Sequence, residues 1–175
     1  MRISAALLHC LTNFSFLRGA SHAEELVTQA SKLGYTAIAI TDECTVSGMV
    51  RAHVAAKECG IKLIVGTEFA VHDAPGIDRL LLFAQNRSGY GDLCELITLA
   101  RSRTTKGKYR LLAADLARLP DCLAVLLPHV HHAAAPDNIA TLSAMFPERC
   151  WLGAAHRYGA DEEGALTRLM DLAEQ

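Results

Sequence analysis

Short apolar runs alternate with segments of helical periodicity along most of the chain. The runs at 3–9, 35–41, 61–67, 123–127 and 150–154 are five to seven residues long and rich in aliphatic side chains. Runs of this length between turn-forming residues are typical of buried strands. The pattern therefore predicts five strands that are separated by helices.

Apolar residues between these runs recur three and four positions apart, which predicts helices. Ser21 and Glu24 have the spacing of a capping box at the start of the first helix. Gly34 and Gly60 follow the first two helical segments, where a left-handed residue commonly ends a helix. The predicted helical segments are 21–33, 46–59, 93–100, 113–119, 136–146 and 165–173.

The alternation breaks once, at a predicted β-hairpin. Its arms are the apolar stretches 69–71 and 80–83, and the turn-rich segment 73–76 lies between them. Elsewhere strands alternate with helices, which favours an α/β fold with a mostly parallel sheet under helical cover. A doubly wound sheet and a barrel both fit this pattern. No glycine fingerprint follows the first strand, so dinucleotide binding has no support.

The length of the chain bears on the choice between these folds. A complete eight-unit barrel takes about 250 residues, whereas this chain has 175 and ends on a helical segment. A barrel built from it would be open, and open sheet edges pair with further chain. We therefore expect the sequence to be part of a longer protein.

Composition excludes several classes of protein. Hydrophobic residues make up 51% of the chain, which excludes intrinsic disorder, and the net charge of −2 excludes a generic DNA-coating protein. No apolar run approaches the ~20 residues of a membrane-spanning helix, and the start lacks a signal peptide. The six cysteines form no CxxC pair, so a zinc ribbon is not indicated. We expect a cytoplasmic protein with no membrane partner.

Polar residues follow several of the predicted strands. In parallel α/β folds the carboxyl ends of the strands surround the active site, where imidazoles and carboxylates can ligate Zn, Mn or Fe. Plainer roles stay open: acids cap helices, and single histidines commonly lie on surfaces or in hydrogen-bonded cores. The strand-end candidates are His9, Asp42, Glu43, Glu68, His129 and His156.

The segment 101–110 carries five basic residues and no acid. Its cations could contact a nucleic-acid backbone, since each would replace a condensed counterion. A solvated loop between two helices is the favoured alternative. The candidate contacts are Arg101, Arg103, Lys106 and Lys108.

Four segments in order along the chain carry a resemblance to a known family. They are 9–21 (HCLTNFSFLRGAS), 39–43 (AITDE), 64–68 (IVGTE) and 89–96 (GYGDLCEL). These segments resemble the PHP (polymerase and histidinol phosphatase) domain that begins bacterial C-family DNA polymerases, the DNA polymerase III alpha subunit family. The amino-acid sequences of the first two segments are most similar to those of the error-prone, damage-induced branch.

The resemblance implies a distorted (β/α)7 barrel with a metal cluster at the carboxyl ends of its strands. Residues 1–175 would form this domain, incomplete at the C-terminal end because the last strand and the final motif are missing. In intact members the cluster cleaves phosphoesters, in some polymerases as a 3′→5′ exonuclease, by activating a bound water and stabilising the phosphoryl oxygens.

The sequence departs from the ligand pattern that the resemblance implies. Leu11 stands where the first motif has a second histidine, Arg18 stands where an acidic ligand is usual, and Glu43 replaces a histidine after Asp42. The segment 151–155 also lacks an expected acid. Leucine offers no lone pair, and a fixed guanidinium disfavours cations. A multi-metal phosphoesterase is therefore not expected.

Two states of the site stay open. His9, Glu68 and His129, with Glu43 as a fourth ligand, could hold one weak Zn or Mn ion. Alternatively, the site binds no cofactor because Arg18 pairs with Glu43 or Glu68, or with Asp42, and this ion pair closes it without metal.

The function expected from the resemblance is that of an N-terminal PHP domain in an error-prone polymerase. The parent would extend primers on damaged DNA with Mg²⁺, and this domain would be a structural module, inactive alone. Its partners would be the remaining polymerase domains and other replication or mutagenesis proteins. The alternatives are an active metal-dependent phosphoesterase or exonuclease, and the PHP domain of the main replicative polymerase.

Overall fold

The structure is a computed structural model that describes residues 5–128, 136–154 and 162–173. The predicted candidates His129 and His156 lie outside the described residues. Within them, no helix has the length and apolar character that crossing a membrane requires. The elements in chain order are β1 Ala6–Leu7, α1 Ala23–Lys32, β2 Ala37–Ile40, α2 Met49–Cys59, β3 Lys62–Phe69, β4 Ile77–Ala84, α3 Arg87–Ser102, a 3-10 helix Ala113–Arg118, β5 Cys122–Pro128, α4 Pro136–Ala144, β6 Cys150–Leu152 and α5 Glu162–Ala173.

The strands form one mixed sheet in the order β1-β2-β3-β4-β5-β6. Strands β1, β2 and β3 are parallel, β4 is antiparallel to both of its neighbours, and β5 and β6 are parallel. Five strands therefore share one direction, and their carboxyl ends meet at one edge. This confirms the α/β class and the mostly parallel sheet, which curls into a half-barrel.

The hairpin is confirmed, but its first arm begins earlier than the sequence suggested. Strand β3, Lys62–Phe69, contains most of the predicted strand 61–67 but only the first residue of the predicted arm 69–71. Within it, Gly66 pairs with Phe83 and Phe69 with Leu80. The reason is close packing: a Cβ on Gly66 would lie 2.7 Å from Cδ1 of Phe83. Glycine thus lets the phenyl ring of β4 cross β3 without a break in the pairing.

Two helix starts differ from the prediction. The N-cap of α1 is His22, whose backbone N–H donates to Glu25 Oε2 at 2.8 Å. The capping box is therefore one residue later than the predicted pair of Ser21 and Glu24. Helix α2 begins at Met49 rather than near 46, because the preceding residues form a turn that connects it to β2.

The core lies on both faces of the sheet. Helices α1 and α2 pack on one side of β2, and α3 packs on the alternate side chains of β4 and β5. Ala39, Leu81, Phe83 and Leu127 form a separate small cluster. Their strand neighbours Ile38, Leu80, Leu82 and Leu126 belong to the helix-covered clusters, so these four lie on the opposite face.

Glu68 belongs to this second face. It pairs in register with Leu81, whereas the next residue, Phe69, is buried in the helix-covered core. Strand alternation therefore directs the Glu68 side chain into the concave side of the curled sheet, near the carboxyl end of β3.

Candidate metal site

The parallel strand ends bring three of the predicted residues together. His9 follows β1, Glu43 follows β2 and Glu68 lies near the end of β3. Glu43 and Glu68 form an isolated parallel bridge, which extends the pairing of β2 and β3 by one step. The juxtaposition follows from the topology, since parallel neighbours end at the same edge of the sheet.

Glu68 is completely buried and is held by three cationic or polar groups. His9 Nε2 lies 2.7 Å from Oε2, and Arg79 Nε lies 3.3 Å from Oε1. Arg18 Nη1 also donates to Oε1. Burial alone would raise the pKa of Glu68, but the hydrogen bonds from His9 and Arg18 and the charge of Arg18 outweigh it. The net effect lowers the pKa, so the carboxylate stays ionised.

Glu43 is held by Arg18 and by a tyrosine that sequence reasoning missed. Arg18 Nη1 lies 2.9 Å from Oε2, and the Tyr109 hydroxyl donates to Oε1 at 2.9 Å. The same hydroxyl accepts a hydrogen bond from the Ala70 N–H at 2.7 Å. Burial, reinforced by the charge of Glu43, raises the pKa of Tyr109 well above its ordinary value. Tyr109 is therefore a neutral donor that fixes the Glu43 carboxylate.

Arg18 is the centre of the group, because one of its nitrogens contacts both carboxylates. Its Nη1 atom donates to Glu43 and to Glu68, so it lies between the ends of β2 and β3. Burial would lower the pKa of Arg18, but the hydrogen bonds and charges of the two acids raise it. The guanidinium therefore carries a permanent charge at the point where the carboxylates converge.

Asp42 has a different role from the one its neighbours have. It is fully buried, and its oxygens accept hydrogen bonds from the Thr12 N–H, the Thr12 hydroxyl and the Ser15 hydroxyl, each at 2.7 Å. These donors satisfy the carboxylate, so the ion pair joins Arg18 to Glu43 and Glu68 rather than to Asp42. Asp42 instead anchors the loop at 12–19 that carries Arg18.

The local sequence explains why this loop can place Arg18. The Arg18 and Gly19 N–H groups both donate to the Ser15 carbonyl, at 3.0 and 2.9 Å. A Cβ on Gly19 would lie 2.1 Å from the Thr12 carbonyl oxygen, so only glycine fits this turn. Ser15 also accepts the Glu43 N–H at 3.0 Å, which ties the loop to the end of β2.

Two of the predicted nucleic-acid contacts are engaged within the protein. Arg101 Nε donates to the Cys44 carbonyl at 2.9 Å, and Arg103 Nη2 donates to Asp115 Oδ1 at 2.8 Å. Lys106 and Lys108 are exposed on the same loop. Contact of this loop with nucleic acid stays a prediction.

The described residues do not fit a metal ion as they are arranged. A cation between Glu43 and Glu68 would coincide with Arg18 Nη1, and the Asp42 carboxylate already accepts three hydrogen bonds from the protein. Among residues 5–128, 136–154 and 162–173, no three His, Cys, Asp or Glu side chains are placed to hold a metal. The candidate ligand His129 lies outside these ranges.

Sequence reasoning missed four residues of this group: Thr12, Ser15, Arg79 and Tyr109. Thr12 and Ser15 lie inside the first motif and could have been suspected as its hydroxyl donors. Nothing in the sequence distinguishes Tyr109 within the basic stretch, or Arg79 within β4. They reach the site through the pairing of β3 with β4 and the packing of the loop after α3.

Comparison with known families decides the relationship of the chain. The family model of the PHP domain matches residues 8–146, which is most of the sequence. The chain belongs to the PHP domain family. The resemblance seen in the sequence motifs is thereby confirmed.

Curated relatives of this PHP domain are named error-prone DNA polymerase. That of Pseudomonas aeruginosa is 47% identical over 175 residues, covering 99% of this chain and 16% of the relative. That of Bordetella parapertussis is 51% identical over 163 residues, covering 85% of this chain and 15% of the relative. That of Ralstonia nicotianae is 56% identical, covering 70% of this chain and 13% of the relative. The chain thus spans about a sixth of their length or less.

Solved structures show the same fold at low sequence identity. A protein from Bifidobacterium adolescentis, assigned as a metal-dependent phosphoesterase, superposes with a TM-score of 0.72 at 17% identity, covering 97% of this chain and 84% of that one. An amidohydrolase from Chromobacterium violaceum has a TM-score of 0.65 at 14% identity, covering 95% of this chain and 82% of that one. These likenesses show that the fold of this chain is shared with both proteins.

Proposed function

We propose that this chain is the PHP domain of an error-prone C-family DNA polymerase and acts there as a structural module. The observation that carries the proposal is Arg18 Nη1, which lies between Glu43 and Glu68 where a metal would otherwise join them. The names of the curated relatives support the polymerase context. The parent, a cytoplasmic enzyme, would synthesise DNA on damaged templates with Mg²⁺, using residues outside this chain.

Electrostatics supports a structural role for Arg18. A fully buried carboxylate such as Glu68 is costly to the fold unless cations and hydrogen-bond donors compensate its charge. Arg18 supplies that charge permanently, whereas a metal supplies it only when bound. A divalent ion entering the site would meet the guanidinium at close range, and like charges at such a distance repel strongly.

The same contact joins three parts of the chain. Arg18 belongs to the loop between β1 and α1, Glu43 follows β2 and Glu68 lies near the end of β3. The three segments are therefore held at one edge of the sheet by a single side chain. A domain stabilised in this way keeps its shape without any cofactor, as a module that packs on the remaining polymerase domains requires.

Replacement of Arg18 by methionine tests the stabilising role. We expect the free energy of unfolding to fall by about 1–3 kcal/mol, because a buried carboxylate loses a charged donor. Urea denaturation followed by circular dichroism measures the change. The matched control is Arg51→Met, since Arg51 pairs with Glu24 on the surface, at 2.5 Å. That pair should contribute less than about 0.5 kcal/mol, and equal losses in the two variants would contradict the proposal.

Metal content tests the alternative, a metal-dependent phosphoesterase or 3′→5′ exonuclease. The purified chain is incubated with Zn²⁺ or Mn²⁺, passed through a desalting column and analysed by inductively coupled plasma mass spectrometry. We expect well under one ion per chain, unchanged in His9→Ala and Glu68→Ala. One or more ions per chain, lost in both variants, would contradict the proposal that the site holds no metal, and nuclease assays would follow.

A further inference from the structure

The loop at 12–19 presents two large apolar side chains to solvent. Phe16 is 83% exposed and Leu17 is 89% exposed, more than any other large apolar residue among those described. A single exposed apolar side chain is ordinary on a protein surface. Two adjacent ones at the tip of one loop form a patch, and such patches mark interaction sites. We refer to Phe16 and Leu17 as the apolar tip.

The apolar tip is held in a fixed position. Asn13 N–H donates to the Ser21 carbonyl at 2.9 Å, which closes the base of the loop, and Asp42 binds Thr12 and Ser15 within it. Arg18, the residue after the tip, is fixed by its carboxylate partners. The tip therefore cannot turn inward to bury its side chains without breaking these bonds.

The backbone at the tip is strained. Leu17 has a φ of 62°, in the left-handed region that L-residues with a Cβ disfavour. Strain of this kind persists only where the surrounding structure enforces it, and it concentrates at functional sites. Neither side chain gains burial in return, so the isolated domain derives no packing energy from the arrangement.

The same loop also borders an open groove. Phe14 lines this groove of about 570 Å³ with the apolar residues Val46 and Ile97 and with polar residues that include Thr45 and Arg101. The groove is therefore of mixed character, and the apolar contact that the loop offers a partner is the tip itself.

We propose that the apolar tip docks on an apolar surface of the polymerase body, meaning the domains that the curated relatives carry beyond the region matched here. The chain spans only 13% to 16% of the three relatives described above, so five-sixths or more of such a polymerase is available to cover the tip. This inference rests on the proposed function. The docking surface and Arg18 lie on one loop, so the ion pairs of Arg18 also hold the surface in place.

Hydroxyl-radical footprinting tests the docking directly. Residues 1–175 are grafted in place of the matching region of the Pseudomonas aeruginosa relative, which aligns with 99% of this chain. We expect Phe16 and Leu17 to be oxidised at least about fivefold more slowly in the graft than in the 175-residue chain, because docking removes them from water. Equal oxidation rates in a graft that extends primers would overturn the inference and leave the proposed function intact.

Substitution of the two tip residues tests the docking independently of footprinting. In the 175-residue chain, the double variant Phe16→Ser, Leu17→Ser should unfold at the same urea concentration as the unsubstituted chain, since both side chains are exposed. In the graft, it should shorten the half-life of polymerase activity at elevated temperature about fivefold, as expected for a lost docking contact. The matched control is Val50→Ser, 74% exposed on α2, which should leave that half-life unchanged.

Two outcomes of these experiments would contradict the inference. The first is an equal half-life for the grafts with the tip variant and with Val50→Ser. The second is protection of Phe16 in the 175-residue chain that increases with protein concentration, which would assign the tip to contact between copies of the chain. If the graft that carries the unsubstituted 175-residue sequence does not extend primers, the proposed function fails instead.

Discussion

Glu68 shows how a single residue can keep a charge in the interior of this domain. It has no exposed surface, yet His9, Arg18 and Arg79 all reach its two oxygens. Burial favours the neutral acid, and the surrounding donors favour the carboxylate more strongly, so its pKa lies below the ordinary value. The charge of Glu68 therefore contributes to stability through its partners.

The lowered pKa of Glu68 predicts a specific pH dependence. Its stabilising contribution is complete above the unfolded-state pKa of about 4.3 and is lost as the pH falls through the lower folded-state value. We expect the free energy of unfolding of the unsubstituted chain to decrease in this acidic range. In Glu68→Gln, which cannot titrate, the decrease should be smaller, although the variant is less stable at pH 7.

Urea denaturation between pH 3 and pH 7 measures both curves. Glu25→Gln is a suitable control, because Glu25 accepts the exposed His22 N–H at the start of α1 and lies away from the site. If the free energy of unfolding changed with pH in the same way in the unsubstituted chain and in Glu68→Gln, Glu68 would not be ionised preferentially in the folded state.

At the level of elements, Asp42 joins the loop at 12–19 to the end of β2. Asp42→Ala leaves the donors of Thr12 and Ser15 without their acceptor, and we expect amide exchange at Thr12, Arg18 and Gly19 to accelerate about tenfold or more. Asp42→Asn keeps one acceptor oxygen, so it should have a smaller effect. Hydrogen–deuterium exchange with mass spectrometry measures this, and unchanged loop exchange in Asp42→Ala would disprove the anchoring role.

Helix α3 contains two glycines with opposite expected responses. A Cβ on Gly89 would lie 2.2 Å from the backbone oxygen of Asp121, the residue before β5, whereas nothing lies within 4 Å of one on Gly91. Gly89→Ala should destabilise the protein by about 1–3 kcal/mol through overpacking. Gly91→Ala should stabilise it by up to about 1 kcal/mol, because alanine favours the helix. Thermal and urea unfolding of the pair measure the difference.

Equal changes in stability in Gly89→Ala and Gly91→Ala would contradict the close approach of α3 to the start of β5. The comparison is well matched, since both residues lie in the first half of the same helix. It therefore separates helix propensity from tertiary packing.

At the level of the whole molecule, the chain spans about a sixth or less of the length of its curated relatives. Within the residues that the structure describes, the pairing of the sheet ends at β1 on one side and at β6 on the other. The acids gathered at the strand ends, Asp42, Glu43 and Glu68, are all engaged by donors of the protein. They are thus unavailable to bind the pair of metal ions that phosphoryl transfer by polymerases employs.

We therefore predict that the 175-residue chain alone does not extend a primer. A labelled primer–template with all four deoxynucleotides and Mg²⁺ should show no added nucleotide, whereas the graft described above should extend it. Template-directed incorporation by the chain alone would refute the assignment of synthesis to domains outside it.

Much of the fold was predictable because local patterns determine it. The runs of apolar residues indicated the strands, and the left-handed helix ends were readable at Gly34 and Gly60, whose φ values are 84° and 67°. The family was readable from ordered motifs such as 9–21 and 64–68. These features depend on residues close together in the sequence, so the sequence alone carried them.

Boundaries that depend on packing were less predictable. The length of β3 follows from its pairing with β4, which runs from Gly66 to Phe69. At the start of α1, the pair Ser21 and Glu24 and the pair His22 and Glu25 have the same capping-box spacing, so the spacing alone did not distinguish them.

The sequence by itself determined which chemical groups are present: an arginine in place of an acid, a leucine in place of a histidine, and carboxylates at the strand ends. It could not determine which carboxylates Arg18 contacts, or that Asp42 anchors the loop. Those contacts join residues 25 to 50 positions apart. Only the parallel pairing of β2 with β3 and the hairpin that adds β4 bring such groups within hydrogen-bond distance, and distance determines which charges pair.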